Sequence, residues 1–139
     1  MGERLLAHAL DAEASPLKEI EVISAGVSAF PGDPASANSI KALEKVGLDL
    51  TDHRTRSFTS YLLENTVAIF VMTEGHRAII ERSFQELELP PVLLFRELMD
   101  GATDVPDPFG AHLGAYIETR DALAEATPSL VSWLKKNVQ

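Results

Sequence analysis

The sequence of 139 residues contains no cysteine. That absence excludes disulfides, thiolate metal sites and any thiol nucleophile supplied by these residues. Aromatic residues are scarce, at 6%. Positive charge is scarce too: 12 Lys and Arg face 21 Asp and Glu, a net charge of -9. Nucleic-acid binding rests on clustered cations, so it is disfavoured. An anionic ligand meets net repulsion unless a local nest of N–H groups and cations overrides it. No apolar run approaches the ~20 residues a membrane span needs, and the first residues lack the pattern of a secretory signal. The expectation is a cytoplasmic protein with no membrane or nucleic-acid partner.

Hydrophobic residues make up 45% of the chain and charged residues 24%, ordinary values for a globular protein. The length fits one domain, and no repeat or linker interrupts it. Leu5, Leu6, Ala9 and Leu10 fall at helical spacing, which predicts a helix over 3–13. Glu19 to Ser24 alternates and carries β-branched residues, which predicts a strand. Pro31-Gly32-Asp33-Pro34 marks a loop. A helix follows over 36–46, with Ile40 and Leu43 inward and Gly47 as its stop. Residues 48–58 read as irregular, and 59–65 as a short helix.

Thr66 to Met72 is an almost unbroken apolar run, as expected of a strand buried on both faces. Thr73 is placed to cap a helix over 74–84, whose Ile79, Ile80 and Phe84 share a face. Val92 to Phe95 reads as another strand. A helix over Leu113 to about 126 follows, and Pro128 is expected to begin a last, separate one. This alternation predicts an α/β protein: three α/β/α layers around a short parallel sheet. Functional loops of such sheets sit at the carboxyl ends of the strands. Ser24-Ala25-Gly26 and the loop containing Asp107 are the candidates.

Asp107 is a good helix N-cap with Pro108 in the first helical position. Phe30 and Phe109, taken alone, read as lids on the core. Ser24, taken alone, reads as a strand-end turn residue and His53 as a surface histidine. Arg56 reads as a structural contact. His8, His53, His76 and His112 show no ligand spacing, so no metal or other cofactor is expected. Glu74 and His76 sit two apart on different sides of a helix, and no serine has nucleophile-elbow context. Glu81, Arg82, Glu86 and Glu88 read as a solvated face.

Four segments in order carry a resemblance: Ser24-Ala25-Gly26 with Phe30, then Gly47 to Arg56 (GLDLTDHRTR), then Val71-Met72-Thr73, then Pro106 to Gly110 (PDPFG) with Thr119-Arg120-Asp121. Together they resemble the low-molecular-weight protein-tyrosine-phosphatase family, including its bacterial protein-arginine-phosphatase relatives. The resemblance implies a cysteinyl-phosphate mechanism acting on phosphoproteins or small phosphoesters. It implies that Asp107 is the general acid, that Phe30 and Phe109 flank the substrate, and that Ser24 and His53 brace the phosphate loop.

It also implies a departure. The family opens with a strand and a C-x5-R-S loop whose N–H groups, helix dipole and arginine grip the phosphoryl oxygens. Met1-Gly2-Glu3 looks like the junction just after that loop, so the chain reads as one domain truncated at its N-terminus. By the resemblance, the absent strand lies between Glu21–Ser24 and Ala68–Met72. Each buried unpaired backbone group costs about 1–3 kcal/mol, and a handful would exceed a domain stability of roughly 5–15 kcal/mol. The expectation is therefore direct pairing of those two segments, or strand exchange in a homodimer.

Overall fold

The computed structural model describes residues 1–26, 31–101 and 103–138. Helix α1 spans Gly2–Asp11 and α2 spans Ala37–Glu44. Strand β1 (Ile69–Val71) is followed by α3 (Glu74–Ser83), β2 (Val92–Leu94) and the long α4 (Leu113–Asn137). Short 3-10 turns cover Leu17–Glu19 and Ser60–Leu63. Among the described residues, no helix is long and apolar enough to cross a membrane.

The local signals act as expected at most helix ends. The Ser36 side chain accepts from the Ser39 N–H, and Thr73 caps α3 by accepting from the His76 N–H. Gly47 adopts φ +80° just after α2, a conformation glycine takes without steric cost. Glu81, Arg82, Glu86 and Glu88 are all exposed. Ile80 is buried beside half-buried Phe84, but Ile79 is exposed, because it lies about 100° further round the helix.

The strands pair in parallel, with Ile69 opposite Val92 and Val71 opposite Leu94. Strand alternation sorts their side chains into two layers. Val71 and Leu94 pack with Ile80 of α3. Phe70, Met72 and Phe95 pack on the other face, against a cluster built from Leu6 and Leu10 of α1 and Leu123, Leu130 and Leu134 of α4. The architecture is a three-layer α/β/α fold around a short parallel sheet.

Besides Ile79, two expectations about whole elements fail. The first concerns Pro128, which does not start a new helix but lies inside α4. It is exposed, as is Ala124, whose carbonyl loses its donor to the proline ring. That carbonyl lies on the solvent-facing side of the helix. On the opposite face Leu123, Ala126, Leu130 and Leu134 are buried at helical spacing across the proline and hold the helix continuous.

The second concerns Glu19–Ser24, which forms no strand. Glu19 ends a 3-10 turn, and among the described residues no backbone group from Glu21 to Ala25 is hydrogen-bonded. The segment is fixed at its ends instead. Leu17 is buried in the core. Gly26 donates to the Arg56 carbonyl at 2.9 Å and accepts from the Phe58 N–H at 3.0 Å. Between this segment and β1 lies a cleft of about 840 Å³, so direct pairing with Ala68–Met72 does not occur. The expected penalty presumed burial. Glu21, Ile23 and Val67 are exposed, so water reaches the unpaired groups.

Candidate functional site

The first turn of α1, the Ser24–Gly26 turn and the Asp107 loop meet on one cleft: Gly2, Glu3, Ser24 and Asp107 all line it. Gly2 matters because the helix start presses on the sheet. A β-carbon there would come within 3.1 Å of Met72 and 3.2 Å of the Phe95 ring.

Glu3 connects two of the residues singled out from the sequence. Its Oε1 accepts from Ser24 Oγ at 3.1 Å, and its Oε2 lies 3.4 Å from His53 Nδ1. Both partners of the Glu3–His53 contact are largely shielded, with side chains 21% and 20% exposed. Ser24 and His53 are thus brought together across 29 positions of sequence by a carboxylate in the first turn of a helix, where the positive end of the helix dipole favours an anion. Sequence reasoning used Glu3 only as a marker of the chain junction. An acid in the opening turn of α1 was the available signal.

His53 is held by its backbone as well. Its N–H donates to Leu50, which is buried, and its carbonyl accepts from Arg54 Nη1 at 2.8 Å. The neighbouring Arg56 contributes its carbonyl to the Gly26 bridge, while its side chain is exposed. The structural contact expected of Arg56 is therefore a backbone one.

The Asp107 loop is anchored at the carboxyl end of β1. The Val105 N–H donates to the Met72 carbonyl at 2.7 Å, and Asp104 accepts from the Glu74 N–H at the start of α3. Asp107 is exposed, and its Oδ1 accepts from the Phe109 N–H at 3.0 Å, a turn of the kind aspartate favours. It does not cap α4. That role falls to His112, whose ring nitrogen accepts from Ala115. Phe109 is 84% exposed, so it is not a lid on the core, and it does not line the cleft. Phe30 lies outside the described residues. His76, set aside on spacing, does line the cleft.

The cleft carries Glu3, Glu21, Glu64 and Asp107, and among the described residues no lysine or arginine lines it. An arrangement of this kind offers proton donors and apolar walls but no cationic grip on a phosphoryl group.

The family model for low molecular weight phosphotyrosine protein phosphatases matches residues 1–139. The chain belongs to this family. It is 34% identical over 119 residues to the protein-arginine-phosphatase of Bacillus subtilis, covering 85% of this chain and 78% of that protein. Among solved structures it is similar to a mutant of YwlE from Bacillus subtilis, with TM-score 0.81 and 30% identity, covering 96% of this chain and 88% of the other. It is also similar to the tyrosine phosphatase Wzb from Escherichia coli K30, solved with sulphate. That match has TM-score 0.79 and 28% identity and covers 96% and 87% of the two chains.

Proposed function

We propose that this chain is the acid-and-pocket part of a low-molecular-weight protein phosphatase, and that the 139-residue polypeptide turns over no phosphoester or phosphoarginine by itself. The similar proteins are a protein-arginine-phosphatase and a tyrosine phosphatase, so the substrate class proposed for the scaffold is phosphoarginine or phosphotyrosine in proteins. The observation that carries the reading is the absence of any cysteine in a chain that belongs to a cysteinyl-phosphate family.

The family reaction forms a sulfur–phosphorus bond while the bond from phosphorus to the leaving oxygen or nitrogen breaks, and an acid protonates the leaving atom. Asp107 fits the acid: it is exposed at the carboxyl end of the sheet, on a loop anchored to β1 and α3. Phe109, exposed beside it though outside the lining of the cleft, and Phe30 are proposed from the family resemblance to flank the substrate. Ser24 and His53 are positioning residues acting through Glu3. With no thiolate there is no sulfur–phosphorus bond to form, and the acidic cleft repels a phosphate dianion. Transition-state charge stabilisation is usually the largest catalytic contribution, and among the described residues no lysine or arginine lines the cleft to supply it.

The test uses the purified 139-residue polypeptide with p-nitrophenyl phosphate and with a phosphoarginine peptide. No vanadate-sensitive release is expected; a vanadate-sensitive rate proportional to protein concentration overturns the proposal. A second reading, a non-catalytic module that binds a partner, is favoured by the open cleft beside β1.

A further inference from the structure

The Asp107 loop enters α4 through a histidine. His112 precedes the helix in extended backbone (φ -76°, ψ 168°), and its Nδ1 accepts from the Ala115 N–H at 3.1 Å. An N-cap is usually serine, threonine, aspartate or asparagine, whose oxygens still accept at mildly acidic pH. A ring nitrogen accepts only when it carries no proton, so the capping ring is neutral, with its hydrogen on Nε2. Histidine is the side chain that changes charge between about pH 5 and 8.

The place is fitted to the ring. A β-carbon on Gly114 would lie 3.1 Å from both Cε1 and Nδ1 of His112, closer than the usual carbon contact of about 3.5–4.0 Å. Gly114 is not among the glycines of positive φ, so its backbone conformation does not call for glycine, and glycine weakens a helix relative to alanine. Room for the His112 ring is the reason the structure supplies. The same end of the loop has two further ties: the Ala111 N–H donates to the Pro108 carbonyl at 2.9 Å, and the Ala111 carbonyl accepts from Asn38 Nδ2 of α2 at 3.4 Å.

Protonation reverses the cap. An Nδ1–H would face the Ala115 N–H, donor against donor, and a positive charge would sit at the positive end of a 25-residue helix. The neighbouring charges give little relief. The first turn of α4 holds no acid. From α2, Lys41, Glu44 and Lys45 share a small pocket with Leu113, two cations against one acid. Within the loop, the Asp107 carboxylate is turned to the Phe109 N–H. Among the described residues His112 forms no ion pair.

We infer that His112 is a proton-sensitive latch on the Asp107 loop. Neutral, it holds the end of the loop to α4; protonated, it lets go, and Asp107 keeps only the anchor through Asp104 and Val105. His112 is thus a positioning residue. The role of Asp107 as the acid rests on the phosphatase reading, whereas loop release is read without phosphate chemistry, so either can fail without the other.

The test is NMR on the full 139-residue chain, titrated from about pH 8 to about pH 5.5. Nitrogen shifts are expected to show His112 Nδ1 unprotonated at the upper end. The Ala115 amide is expected to move in step with the ring. Order parameters at Gly110 and Ala111 are expected to fall from about 0.85 to about 0.6 or below. His112→Asn supplies a cap that accepts throughout, and is expected to keep the loop ordered across the titration. In His112→Ala the loop is expected to be mobile throughout, with Ala115 exchanging about fivefold faster, the size of a typical N-cap loss. Gly114→Ala favours the helix but crowds the ring, and is expected to loosen the loop at the upper pH.

Unchanged loop order across the titration of the native chain overturns the inference. So does an equal pH response in His112→Asn, which would assign the sensing to another group. Native-like loop order in Gly114→Ala overturns it too, as does a proton on Nδ1 at the upper pH. Where a variant loses its circular dichroism, the titration of the native chain decides.

Discussion

Glu3 Oε2 lies 3.4 Å from His53 Nδ1, while the other oxygen of the same carboxylate accepts from Ser24 Oγ. One acid in the first turn of α1 thereby ties the helix start to the two loops that frame the cleft. A double-mutant cycle with Glu3→Ala and His53→Ala, read by urea unfolding, is expected to give a coupling of about 0.5–1.5 kcal/mol. Additive effects within error would show that the pair contributes nothing.

Phe109 illustrates the opposite situation. It is exposed at the tip of the Asp107 loop and buries little against the core. Phe109→Ala is expected to change unfolding stability by no more than about 0.5 kcal/mol. By contrast Leu130, fully buried between α1 and α4, is expected to cost about 2–5 kcal/mol as Leu130→Ala. A large loss at Phe109 would mean that the loop packs on the core after all.

Pro128 is an exposed helix-interior proline that leaves the Ala124 carbonyl without its helical donor on the solvent-facing side. Pro128→Ala restores a helical donor without changing a buried side chain. It is expected to stabilise the chain by about 1–3 kcal/mol, raising Tm. An unchanged or lower Tm would show that α4 is not continuous in solution.

Asp49 Oδ1 accepts from both the hydroxyl and the N–H of Thr51. The hydroxyl bond first, and the backbone bond second, hold the Asp49 carboxyl below the ordinary aspartate value. Because the folded-state value is the lower one, this contribution to stability is present above the unfolded value and is lost as pH falls through the folded one. In Thr51→Val, carboxyl NMR is expected to show Asp49 titrating at higher pH, closer to ordinary aspartate. An unmoved titration would remove the hydroxyl as the cause.

Helices and their ends were largely legible in the sequence because their causes are local. Periodic leucines give α1, Ser36 and Thr73 give caps, and Gly47 supplies the positive φ that ends α2. Glu19–Ser24 misled because alternation with β-branched residues describes a segment able to be a strand, while a strand exists only with a neighbour to bond. Pro128 misled because the breaking tendency of proline is local, whereas the apolar face that overrode it belongs to the α1–α4 interface.

The same division runs through the site. Asp107, Phe109, Ser24 and His53 stood out as residue types in order, but nothing in the one-dimensional pattern linked Ser24 to His53. Glu3 does so because folding brings the first turn of α1 against both loops. Composition by itself determined that these residues contain no thiol nucleophile and carry excess negative charge. Both are sums over side chains, and no folding alters them. Only the tertiary structure decided that β1, paired with β2 on one side, borders a cleft on the other among the described residues. Pairing depends on where packing against α1, α3 and α4 holds each backbone, and that position is not a property of any one segment.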